Sequence, residues 1–189
     1  MLSLVTDKFD VIVADIDERA FEIRMEEEGV PALKVSEHLA ELKAKAVFDT
    51  LDESEKENTI VIGADTSVIL DDVIYGKPAD REDAVKMLSN LSGRVHVVAT
   101  GVALFAGTEK RTFTEETSVE FNALDDYQKT LISDYCDSGS PYDKAGGYGI
   151  QDMGSLLVKK IDGDYPNVVG LPVARLAREL SIMVKYSLE

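Results

Sequence analysis

The sequence predicts a mixed α/β fold, a twisted sheet with flanking helices, in one domain of 189 residues. Three observations carry this. Apolar β-branched runs alternate with helical patterns but without a strict βαβ period. One long hairpin is present, with Val95 to Phe105 followed by the alternating stretch Arg111 to Phe121. The run Thr59-Ile60-Val61-Ile62 ends at Gly63-Ala64-Asp65-Thr66, as a buried strand would if it delivered a carboxylate to the rim of an open sheet, where ligands gather.

Taken in order, Phe9 to Ala14 reads as a strand running into Asp15-Ile16-Asp17-Glu18. Glu22 to Gly29 is a charged segment ending in glycine. Ser36 is expected to cap a helix that runs to about Thr50, with Leu39, Leu42, Ala46 and Val47 as its buried stripe. Asp52 to Asn58 is a polar connector. The strand Thr59 to Asp65 follows, then a second apolar run, Ser67 to Leu70, broken by Asp71-Asp72 as by a turn. Asp80, with Asp83 three residues on, caps a helix whose apolar face is Ala84, Met87, Leu88 and Leu91 and which ends at Gly93. Val95 to Phe105 is one bent strand, or two meeting at a bulge at Gly101. Phe113, Val119 and Phe121 lie on the buried face of the returning strand. A helix spans about Asp125 to Tyr135, and the glycine-rich passage Ser138 to Gln151 must turn sharply or approach something closely. Leu156 to Ile161 is a strand, Asp162 to Pro166 a turn, and Pro172 to Tyr186 a last helix.

Composition bounds the function. Asp and Glu number 36 against 20 Lys and Arg, a net charge of -16, which argues against nucleic-acid backbones and anionic membranes as partners. A small anionic substrate stays compatible, because local lysines and a metal ion can reverse the field inside a pocket. Cys136 is the single cysteine, so no disulfide framework forms and a cytoplasmic location is expected. The sequence shows no signal peptide and no apolar run long enough to span a membrane.

The usual nucleophile and nucleotide motifs are missing. No Gly-x-Ser-x-Gly elbow appears, Gly76-Lys77 is followed by proline rather than Ser or Thr, and Gly146-Gly147-Tyr148-Gly149 has the wrong spacing for a dinucleotide fingerprint. Carboxylates, lysines and glycine turns remain. That set suits metal-assisted attack of water on a phosphoanhydride, which needs carboxylates for a hard divalent ion, a carboxylate near the water and cations on the phosphates. Asp65, Glu18, Lys43, Lys77 and Lys144 supply those types. On the residues alone other readings stand beside this one: Asp65 as a turn acid, Lys43 and Lys77 as solvated lysines, and Asp15 to Glu18 as a solvated loop.

Together the segments resemble the Maf family of nucleoside triphosphate pyrophosphatases, from about Phe9 to Leu180. The marks are Ala14-Asp15-Ile16-Asp17-Glu18, Lys43-Ala44, Gly63-Ala64-Asp65-Thr66, Gly76-Lys77-Pro78, Leu91-Ser92-Gly93 with His96 and Thr100-Gly101-Val102, Asp143 to Gln151, and Asn167-Val168-Val169-Gly170-Leu171-Pro172. The resemblance implies a fold similar to that of inosine triphosphate pyrophosphatases, a homodimer, and hydrolysis of a nucleoside triphosphate to the monophosphate and diphosphate with Mg²⁺ or Mn²⁺. It implies that Asp65 activates water, that Glu18 joins it in holding the metal, and that Lys43 and Lys77 contact the phosphates, with Lys144 also at the substrate. Thr66 and Gln151 look like the pair of the dTTP/UTP-preferring branch. A role in clearing modified pyrimidine nucleotides or in restraining septum formation is also attached to the family.

One departure accompanies these matches. Family members open with a strand, a Ser-x-Ser-Pro-Arg-Arg loop and a helix, and that loop gives amides, hydroxyls and two arginines to the triphosphate. No such run occurs here, and Met1 to Val5 resembles the end of that helix. The expectation is a chain truncated at its N-terminus relative to the family and less stable than an extended form. The alternative function is a non-catalytic nucleotide-binding or cell-division regulatory protein.

Overall fold

A computed structural model describes residues 1–186. Seven α-helices and five strands are described: α1 (Glu18–Glu27), α2 (Ala32–Phe48), α3 (Glu53–Asn58), β1 (Val61–Leu70), β2 (Val73–Tyr75), α4 (Arg81–Leu91), β3 (Val95–Ala106), β4 (Glu109–Phe121), α5 (Asp126–Asp137), β5 (Val158–Asp162), α6 (Tyr165–Val169) and α7 (Val173–Tyr186). The strands form one sheet in the order β2-β1-β3-β4-β5, so the mixed α/β expectation holds. β1 pairs antiparallel with β2, and β4 with β5. Among the described residues no helix is long and apolar enough to cross a membrane.

The residues divide into two compact units, and β1, β3 and β4 contribute to both. The first unit holds Met1–Asp65, Thr100–Glu115 and the residues from Gly170 onward. Its core is Val102, Leu104, Phe113, Leu176 and Met183, with Ala40, Ala44 and Ala103 forming a second cluster against α2. The second unit holds Thr66–Ala99 and Glu116–Val169. Its core gathers Val68, Leu88, Leu91, Val98, Val119, Phe121, Ile132, Tyr135 and Leu157.

Two glycines set the depth of the first unit's packing. A Cβ at Gly63 would collide with the Ala40 carbonyl oxygen and lie 2.9 Å from the Ala44 side chain. One at Gly101 would collide with the backbone of Ser36 and Glu37. Helix α2 therefore sits directly on the strands, and its alanines face them. Gly101 lies within β3, which runs unbroken from Val95 to Ala106, so of the two sequence readings the single strand holds and the pair of strands meeting at a bulge does not.

Several other elements differ from expectation for physical reasons. Phe9 to Ala14 is not a strand; Val11, Ile12 and Val13 are 84%, 60% and 89% exposed, and no described strand pairs with them. Helix α2 starts before Ser36, with Pro31 at its N-cap, and the buried Ser36 hydroxyl has no hydrogen-bond partner among the described residues. Its buried stripe is Val35, Leu39, Ala40, Ala44 and Phe48, while Leu42, Ala46 and Val47 are half-buried. Asp52 to Asn58 is helical because Asp52 and Glu55 exchange a capping box. Val61 to Leu70 is one strand rather than two runs, starting two residues after Thr59, and Asp71-Asp72, both at positive φ (53° and 61°), make a two-residue hairpin into β2. Leu156 and Leu157 belong to a 3₁₀ turn ahead of β5, and the turn at Asp162 leads into α6.

Candidate active site

In the first unit the carboxylates and Lys43 converge. The Asp17 side chain accepts a hydrogen bond from the Ala20 N–H and starts α1, so Asp17 is a helix cap and Glu18 the first residue of the helix. Lys43 lies on α2, one residue before Ala44, whose side chain faces Gly63. Its ammonium donates to Asp65 Oδ1 at 2.7 Å and lies 3.1 Å from Glu18 Oε2. The Lys43 and Asp65 side chains are only 22% and 14% exposed, which sets this pair apart from the solvated ion pairs elsewhere on the chain.

Electrostatics follow from this crowding. Burial would lower the Lys43 pKa, but the hydrogen bonds and charges of Asp65 and Glu18 outweigh it, and the ammonium is held above its ordinary value. Glu22 completes the cluster. Its carboxyl is raised, first by desolvation and then by the negative charges of Asp65 and Glu18. Sequence reading missed Glu22 as a site residue. The available signal was its spacing, four residues after Glu18, which puts both carboxylates on one face of α1.

Glu18 and Asp65 both lie on the Lys43 ammonium, and carboxylates are also the groups that hold a hard cation such as Mg²⁺, which uses one or two of them and completes its octahedron with water and substrate phosphates. Among the described residues no three His, Cys, Asp or Glu side chains are grouped so as to hold a metal ion by themselves.

In the second unit Thr66 opens as the half-buried residue of β1 that follows Asp65. Lys77 is exposed on the turn after β2. The glycine-rich passage lies down on that turn. Gly146, at φ +68°, donates its N–H to the Gly76 carbonyl at 3.0 Å, and Gly147, at φ +70°, packs on Pro78. A Cβ at Gly146 would meet the Val68 side chain at 2.8 Å, so the passage is glycine where it crosses β1. Lys144 donates to Asp143 Oδ1 and to the Ser140 carbonyl, both at 2.7 Å. The Asp143 carboxyl is lowered, chiefly by the Lys144 hydrogen bond, with Lys77 contributing. Lys77 and Lys144 are thus carried by two segments that hydrogen-bond to each other. Gln151 is exposed in the turn that closes the passage.

The passage is anchored from beneath by aromatic packing. His96, Phe121 and Tyr148 stack edge-to-face with centroids 4.8 to 5.5 Å apart, and His96 Nε2 hydrogen-bonds the Tyr148 hydroxyl at 2.8 Å. Burial pushes the His96 pKa down to about 4 and raises that of the Tyr148 phenol.

A mixed α/β chain with a lysine-bridged carboxylate cluster at one strand and a lysine-bearing glycine passage at another has the components of an anion-processing enzyme. The Maf-like protein family matches residues 1–183, and the chain belongs to that family. It is 44% identical over 176 residues to a dTTP/UTP pyrophosphatase of Thermosipho africanus, covering 93% of this chain and 83% of the relative. It is 43% identical over 180 residues to a dTTP/UTP pyrophosphatase of Geobacillus sp., covering 95% of this chain and 89% of the relative. A third protein of that name, from Acetivibrio thermocellus, is 44% identical over 173 residues, covering 89% and 82%.

Proposed function

We propose that this chain is a nucleoside triphosphate diphosphatase that hydrolyses dTTP and UTP to the monophosphate and diphosphate. The observation that carries the reading is the Lys43 ammonium held between Asp65 and Glu18. It puts a fixed cation beside the carboxylate that would take a proton. Family membership and relatives named dTTP/UTP pyrophosphatases support the same reaction and substrate.

In this reading Asp65 accepts a proton from water as its oxygen attacks the α-phosphorus. The bond from that phosphorus to the bridging oxygen breaks, and diphosphate leaves with the bonding pair. Lys43 orients Asp65 and, with Lys77 and Lys144, offsets charge on the phosphates. A divalent cation held by Glu18 and Asp65 supplies neutralisation of the triphosphate when bound. Thr66 and Gln151 contact the pyrimidine side of the substrate. We place the protein in the reducing cytoplasm, since a single cysteine leaves no disulfide framework, and, from its resemblance to the family, as a homodimer.

Diphosphate release from dTTP and UTP with Mg²⁺ or Mn²⁺ tests the activity. Chelator should abolish release, and Asp65→Asn should lose it. Nucleotide binding in a calorimeter with no turnover by the intact protein would overturn the reading in favour of a non-catalytic binding protein.

A further inference from the structure

Gln151 sits in a turn whose two ends are held by one hydroxyl. Tyr135, near the C-terminal end of α5, is fully buried. Its phenol oxygen accepts the Gly149 N–H at 3.0 Å and donates to Asp152 Oδ1, also at 3.0 Å. One atom therefore fastens the residues on either side of Ile150 and Gln151. Asp152 is itself satisfied from three further directions. It accepts the Gly154 N–H at 2.8 Å and the Ser140 hydroxyl at 2.7 Å, and Lys144 Nζ lies 3.7 Å away. Burial would raise the Asp152 pKa, but these hydrogen bonds together with Lys144 bring it below the ordinary carboxylate range.

The fit is close enough to restrict the turn. A Cβ at Gly149 would lie 2.8 Å from Asp152 Oδ2 and from the Lys144 side chain, and one at Gly154 would lie 2.7 Å from the Gly149 carbonyl oxygen. Tyr135 is thus joined to Lys144 through Asp152 and Ser140, and to Gln151 through the backbone on both its flanks. A phenylalanine could fill the same core space, so packing alone does not call for the hydroxyl.

We propose that Tyr135 is a positioning residue for pyrimidine selection: its hydroxyl, bridging Gly149 and Asp152, sets the turn that presents Gln151 to the base. Tyr135 does not touch the reacting atoms. The inference rests on the reading that Gln151 contacts the pyrimidine side of the substrate.

The test compares steady-state hydrolysis of dTTP, UTP and dGTP by the full chain and its Tyr135→Phe, Asp152→Asn, Asp152→Ala and Gln151→Ala variants. Tyr135→Phe should raise KM for dTTP and UTP about tenfold, the worth of one well-made hydrogen bond, and leave kcat within about twofold. Preference for dTTP over dGTP should fall by a similar factor. Asp152→Asn keeps an acceptor for the phenol and should retain most of the preference, whereas Asp152→Ala should lose it. This second pair decides the matter should Tyr135→Phe not fold. Unchanged KM and preference in Tyr135→Phe, or equal preference in Asp152→Asn and Asp152→Ala, would overturn the proposal while the reading of Gln151 stood. Wild-type preference in Gln151→Ala would overturn that reading, and the proposal with it.

Discussion

Lys43 Nζ and Asp65 Oδ1 lie 2.7 Å apart although 22 residues separate them in the chain. Neither is free to relax outward: Asp65 belongs to β1, and Lys43 to a helix seated on Gly63. Asp65→Asn keeps this shape but removes the proton acceptor. Its kcat for dTTP should fall by about 10² to 10⁴, the usual contribution of a positioned base, with a melting temperature close to wild type. Diphosphate release under saturating substrate measures the first, and a thermal melt the second.

Lys43→Met removes the cation and leaves Asp65 and Glu18 facing each other. Activity should drop about a hundredfold, as for loss of a preorganised charge. The variant also carries a stability signature. The Lys43 pKa is raised in the fold, so its stabilisation is fully present below the unfolded value near 10.4 and is lost as pH rises through the folded value. Denaturant melts between pH 9 and 11 should therefore show a steeper alkaline loss in wild type than in Lys43→Met.

His96 works in the opposite direction. Its pKa falls to about 4 in the fold, from an ordinary 6.5. Its contribution is present above about pH 6.5 and is lost as pH falls toward 4, because the unfolded chain binds the proton first. The full effect is about 3 kcal/mol. His96→Gln can still hydrogen-bond Tyr148 and should be less sensitive to pH across that window. Parallel acid-limb slopes for the two proteins in urea melts would contradict the assignment.

Much of this molecule was legible in its sequence, and the failures have a common cause. The cap at Asp80, the helix from about Asp125, the break at Asp71-Asp72 and the buried positions Phe113, Val119 and Phe121 all rest on local chemistry, and the structure bears them out. What was misread depends on partners distant in the chain. Ser36 has the local chemistry of a cap, but the chain is already helical from Ala32 and Ser36 lies against the backbone of Gly101. Phe9 to Ala14 has the composition of a strand but no neighbour to pair with among the described residues. In the site, Asp65, Lys43 and Glu18 do converge. Glu22 escaped notice because its significance comes from Asp65, which lies far along the chain.

Gly63→Ala tests the glycine seat directly. The added methyl would drive into the Ala40 carbonyl, and overpacking against backbone costs about 1–3 kcal/mol or more. The variant should melt well below wild type. Because α2 must shift to admit the methyl, activity should also fall at temperatures where the protein is still folded. Gly107→Ala, with nothing within 4 Å of its Cβ but a φ of +53°, serves as the control that reports backbone strain without collision.

Val11, Ile12 and Val13 expose apolar β-branched side chains in succession, a pattern prone to self-association. Val11→Lys with Val13→Glu should lower light scattering on concentration and leave the melting temperature unchanged.

The seating of α2 on Gly63 bears on the order in which the molecule acquires its chemistry. Lys43 and Asp65 lie within one uninterrupted run of chain, and the contact that brings them together needs only a short loop to close. Helix α2 and the first half of β1 can therefore dock before the distant segments of the same unit, from Thr100 and from Gly170, arrive to complete its core. The charge pair is a local product of folding, and a nascent chain could form it well before its last helix has been made.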